Sequence, residues 1–155
     1  MLTLRTLELE EFPLMLPYGQ AFFDEYRDFI DGAEFDPKHF LECAEQLALW
    51  SQLTVFGLWD QEKLVGGLAA YIQESVFTTS KIGREMFLFM DPAYRRGMNS
   101  KRLLDAYKAW GKAKGLRYCS MIHLHHGPLE EKLATLYTLC GYQKIETAYR
   151  LDLKD

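Results

Sequence analysis

Chemistry concentrates first between residues 88 and 104, where Leu88-Phe89-Met90-Asp91-Pro92 leads into Ala93-Tyr94-Arg95-Arg96-Gly97-Met98-Asn99-Ser100-Lys101. An apolar run that stops at Asp-Pro reads as the end of a strand. The spacing of Leu103, Leu104, Tyr107 and Trp110 reads as an amphipathic helix that begins just after Gly97. In such a strand–turn–helix, successive backbone N–H groups converge and the helix dipole adds partial positive charge. Arg95, Arg96 and Lys101 bring full charges to the same turn, which suits it to a diphosphate. An ordinary solvated basic turn would use the same residue types, so the turn alone leaves both readings open.

Acid–base chemistry is offered at three further places. Glu85 lies five residues before Met90, and strict strand alternation puts it on one face with Phe87 and Phe89. A carboxyl among aromatics has its pKa raised by desolvation; the alternative is a surface glutamate paired with Arg84 or Lys81. Tyr137 falls on the apolar stripe of a later helix, where a phenol finds a polar partner for its hydroxyl. His123, His125 and His126 cluster after a short apolar run, but no cysteine or carboxylate completes a sensible ligand set, so no metal is expected. A substrate or base role for one of these histidines stays open.

The elements that position these groups follow from periodicity. Residues 2–7 alternate as a first strand, and residues 19–30 carry Phe22, Phe23, Tyr26, Phe29 and Ile30 at helical spacing. Asp36-Pro37 starts a second helix that runs to about Trp50, with Asp as N-cap and Pro at the first helical position. Phe22, Tyr26 and Trp50 read as core. Residues 54–59 and 64–72 form a hairpin about a turn at 60–63, and 82–90 is the next strand, giving antiparallel pairing. The helix after Gly97 is capped by Gly115; a short buried strand follows over 116–124, then a helix over 128–140 that Gly141 ends. Residues 142–153 read as one or two last strands. The predicted fold is mixed α/β (α+β): a mostly antiparallel central sheet with one parallel β-α-β unit, flanked by helices, in a single domain over residues 1–155.

Composition narrows the function classes. A net charge of −4 lacks the basic footprint of a nucleic-acid binder, so no nucleic acid is expected as partner. No run of residues is long and apolar enough to span a membrane, and the first residues, Met1-Leu2-Thr3-Leu4-Arg5, do not read as a secretory leader. Cys43, Cys119 and Cys140 are odd in number and widely spaced, which fits free thiols in a reducing, cytoplasmic setting.

The turn resembles the coenzyme A signature of the GNAT superfamily, Gln/Arg-x-x-Gly-x-Gly/Ala after a strand ending in Pro. Arg95 matches its first position and Ser100 its small last one, while Met98 stands where the central glycine is expected. Leu136-Tyr137-Thr138-Leu139-Cys140-Gly141-Tyr142 resembles the Phe/Leu-Tyr-x-x-x-Gly-Phe/Tyr close of the family's last helix, and Gly141 to Thr147 is similar to small bacterial and phage members. The resemblance extends from Thr54 to Leu153. It implies a GNAT-like fold and an N-acetyltransferase that uses acetyl-CoA as co-substrate. The acceptor it implies is a small-molecule or protein amine, attacking directly in a ternary complex, and a homodimer is left open.

By the same resemblance, the backbone of Leu88, Phe89 and Met90 would hold the pantetheine arm, and Arg95, Arg96, Gly97, Met98, Asn99, Ser100 and Lys101 the diphosphate. Glu85 would be the base and Tyr137 the donor to the leaving thiolate. The family often has Asn seven residues before that tyrosine; this chain has Glu130. A binding module that holds acyl-CoA or a protein partner without turnover is the competing reading.

Overall fold

Strands with no polar face fix where the sheet lies. In the computed structural model, which describes residues 1–28, 30, 33–125 and 127–153, β2 (Thr54–Asp60) and β3 (Lys63–Glu74) are buried along most of their length. Both faces of these strands are therefore covered. Their hairpin turns at Gln61-Glu62, with Gln61 at φ 55, the left-handed conformation that a two-residue hairpin demands. β1 (Leu2–Thr6) pairs antiparallel with β2, and β4 (Lys81–Met90) antiparallel with β3. β5 (Cys119–Ser120) joins β4 in parallel, through the pairs Gly83↔Cys119 and Arg84↔Ser120. The result is a mixed five-stranded sheet in the order β1-β2-β3-β4-β5.

Helices cover both faces. A 3-10 helix at Leu9–Met15 leads into α1 (Leu16–Tyr26), and α2 (Pro37–Ser51) starts on Asp36, whose carboxylate accepts from the His39 N–H. These enclose a core around Phe12, Met15, Trp59, Ala69, Phe87 and Phe89. On the opposite face α3 (Asn99–Ala113) and α4 (Glu130–Leu139) cover Leu58, Leu68, Met90, Leu103, Leu104, Tyr107 and Tyr137. Burying one such side chain stabilises by about 1.5–3 kcal/mol, more than the roughly 1 kcal/mol that Gly111 costs inside α3. Gly111 has its own reason: a Cβ there would meet the Cys119 Sγ at 2.5 Å, so glycine lets α3 approach β5.

Four sequence expectations are corrected. The strand expected over 116–124 is only Cys119–Ser120. The strands expected over 142–153 are absent among the described residues, and Ile145, Tyr149, Leu151 and Leu153 are exposed. Alternation creates a strand only beside a partner, and the edge that β5 offers is two residues long. Trp50, expected in the core, is 80% exposed at the end of α2. The first helix ends at Tyr26; Phe29 lies outside the described residues.

Candidate active site

At the end of β4, the chain makes a 3-10 turn, Pro92–Tyr94, whose Ala93 N–H is held by the Asp91 carboxylate at 2.9 Å. Gly97 then takes φ 66, the left-handed conformation that redirects the chain into α3. Met98 is the N-cap and supplies no side-chain cap; the first intrahelical bond runs from Arg102 N–H to the Met98 carbonyl at 2.9 Å. The amides of Asn99, Ser100 and Lys101 thus open the helix, where the dipole is positive. The three cations differ. Arg95 donates to the Met90 carbonyl at 3.1 Å and lies across the end of β4, while Lys101 is paired with Asp105 at 2.6 Å. Arg96 is exposed and makes no ion pair among the described residues, so its charge is available to an anion. Asn99 spends its side chain on the Tyr94 carbonyl at 2.9 Å.

Leu88, Phe89 and Met90 are paired on one side with Leu68, Gly67 and Gly66. On the other side the β5 ladder stops at Arg84↔Ser120, so alternate main-chain groups of this stretch face a parting between β4 and β5. Phe89 turns its ring to α1, 4.8 Å from Tyr18, whereas Leu88 and Met90 face α3.

Glu85 does not share a face with Phe87 and Phe89. The β3–β4 register runs Ala69↔Phe87 and then Ala70↔Glu85, so Met86 is the extra residue of a β-bulge. Phe87 and Ala69 belong to the α1/α2 core, Ala70 to the α3/α4 core. The bulge therefore hands the Glu85 carboxyl to the side of α3 and α4. There its charge is felt by Tyr107, Tyr137 and Tyr142. The residue as a whole is half-buried, yet its Oε1 is sealed from solvent and has no hydrogen-bond partner. Burial pushes the carboxyl up to about 8, against a backbone hydrogen bond from Ile122 that pulls the other way.

Tyr137 reaches the same spot from α4. Its hydroxyl donates to the Ile122 carbonyl at 2.9 Å, and burial, with the Glu85 charge second, raises its pKa. Both main-chain groups of Ile122 are thus bonded by side chains from other elements, Glu85 from β4 and Tyr137 from α4. The sequence gives no sign of Ile122, because its contribution is main-chain. Of the histidines, His123 lies beside Tyr137, its ring 6.2 Å away, and His125 bonds Glu130 at 3.1 Å. His126 is outside the described residues. Among those described, no three His, Cys, Asp or Glu side chains gather as a metal site.

The model of the acetyltransferase (GNAT) family matches residues 5–142. Among curated protein sequences none matches this chain. Solved structures share the fold at low identity. An aminoglycoside acetyltransferase from an uncultured soil metagenomic sample has a TM-score of 0.73 at 20% identity, covering 99% of each chain. A ribosomal-protein-alanine N-acetyltransferase from Brucella melitensis biovar Abortus 2308 has 0.74 at 12%, covering 99% of this chain and 100% of its own. A predicted acetyltransferase from Clostridium acetobutylicum, solved with acetyl-CoA, has 0.73 at 15%, covering 99% and 97%.

Proposed function

Because this chain belongs to the acetyltransferase (GNAT) family, we propose that it transfers an acetyl group from acetyl-CoA to a primary amine by direct attack in a ternary complex. The observation that carries this reading is the placement of an uncapped, basic helix start and a Glu85–Ile122–Tyr137 cluster along one parting of the sheet. The open amides of Asn99, Ser100 and Lys101, with Arg96, Gly97 and Met98, fit the diphosphate. The strand backbone of Leu88, Phe89 and Met90 fits the amide-bearing arm as an added strand would. Arg95 acts at the mouth of the parting through the Met90 carbonyl.

In the reaction, the amine nitrogen attacks the thioester carbon and the C–S bond breaks. Glu85, as carboxylate, takes a proton from the nitrogen; Tyr137 gives its proton to the departing thiolate. Burial raises the Tyr137 pKa, so the phenol still carries its proton when the thiolate departs. The proton on Glu85 then returns to Tyr137, and both groups are reset.

Fold relatives named for aminoglycosides and for ribosomal-protein alanine support an amine acceptor, small-molecule or protein. Among the described residues no helix is long and apolar enough to cross a membrane. We take residues 1–155 as one catalytic domain, working in the cytoplasm. The deciding experiment is acetyl-CoA consumption against a panel of amines and peptides, with the thermal shift caused by coenzyme A measured alongside. Consumption with at least one amine is expected. A coenzyme A shift without turnover on any acceptor would favour the binding module.

A further inference from the structure

Two buried side-chain atoms lack a hydrogen-bond partner among the described residues: Oε1 of Glu85 and Nδ1 of His123. An unmade bond of this kind is costly, so two beside the same residue call for an explanation. Both flank the same residue. Glu85 is bonded by the backbone of Ile122, His123 follows it in the chain, and Tyr137 donates to its carbonyl at 2.9 Å. The His123 and Tyr137 rings stack, 6.2 Å apart at 26°. Nδ1 of His123 is sealed, while the residue as a whole is half-buried and His125, two residues on, is exposed.

Proton bookkeeping says what such a residue is for. Free amines are largely protonated near neutrality. An ammonium that becomes an amide loses two protons: one ends on the thiol, and one has to leave the protein. The Glu85–Tyr137 exchange carries the first and has no place for the second. Building on that reading of Glu85 and Tyr137, we infer that His123 is a positioning and relay residue, passing from the cluster to solvent the extra proton that the ammonium brings. The proton moves from nitrogen to the Glu85 carboxylate, from Glu85 through water to His123 Nδ1, and from the far ring nitrogen to solvent. The other groups facing the cluster suit this less well. Tyr107 on α3, Tyr137 on α4, Tyr142 beyond it and Tyr26 on α1 are phenols held neutral by burial, and the Cys119 thiol on β5 is pushed up in the same way. An imidazole exchanges protons near neutrality.

The test compares wild type with His123→Ala and His123→Gln in dilute buffer, on the amine turned over best, each variant first shown to fold by its coenzyme A thermal shift. The expected result is a kcat reduced roughly tenfold or more in both. Added imidazole should restore His123→Ala saturably and leave wild type unmoved. Wild-type kcat and pH profile in either variant, or a fall that imidazole does not mend, overturns the relay alone. Should neither variant fold, nitrogen NMR of the unaltered protein decides. The His123 ring-nitrogen signals should move when Glu85 is changed to Gln. Signals indifferent to Glu85 overturn the relay. A wild type that shifts with coenzyme A but acetylates nothing overturns the acetyl-transfer reading and the relay together.

Discussion

At Glu85, the burial that raises the carboxyl to about 8 bears on stability and, in the proposed reaction, on rate. The carboxylate grows in as pH passes that value, so kcat should climb through it, and Glu85→Gln should flatten the climb while the coenzyme A shift stays. Stability runs the other way. The folded form keeps its proton to about 8, whereas the unfolded chain loses it near the ordinary carboxyl value of 4.5. The contribution is full below the unfolded value, shrinks as pH rises, and is gone beyond the folded one. Melting curves of wild type and Glu85→Gln should therefore diverge in favour of the variant as pH goes from about 5 to 9; a constant gap would show an ordinary, solvated carboxyl. Tyr137→Phe keeps the ring but loses the bond to Ile122, worth about 1 kcal/mol, so a small fall in Tm is expected. Steady-state kinetics should show kcat down by some part of 10²–10⁴-fold with coenzyme A affinity retained. Full activity would leave Tyr137 with packing alone.

Two elements set the site, and each does so through an irregularity. The Met86 bulge turns Glu85 to the α3/α4 side while leaving Phe87 and Phe89 in the opposite core. The unstapled start of α3 leaves amides and the Arg96 charge facing outward. Changing Arg96 and Lys101 together to Glu should abolish the coenzyme A thermal shift. Intrinsic stability should barely move. The Lys101–Asp105 pair is solvent-screened and contributes little, and an acid in the first helical turn is favoured by the dipole. An undiminished shift in the folded double variant would take the diphosphate away from this turn.

Over the whole molecule, residues 143–153 are the segment outside the sheet. They are exposed, carry no main-chain hydrogen bonds among the described residues, and touch the body through Arg84–Glu146 at 3.3 Å and Arg150 to the carbonyls of Asp28 and Ile30. Limited trypsin digestion should therefore cut after Lys144 first, leaving a body that still shifts with coenzyme A. First cleavage inside the β2–β3 hairpin would contradict this. Local signals were enough for most elements: the Asp36 cap, the Gly97 turn, the buried runs of β2 and β3 and the stripes of α3 and α4 are all written in residue types and spacing, because caps, turns and amphipathic faces depend on neighbours a few positions away. The basic turn before α3 and the place of Tyr137 on its helix stripe were legible for the same reason. What tertiary structure alone decided was long-range. Whether 142–153 pairs depends on an edge elsewhere in the fold, and which face Glu85 takes depends on how β4 registers with β3. That Glu85, His123 and Tyr137 meet around Ile122 depends on three elements converging on a main-chain group, for which no side chain leaves a mark in the sequence.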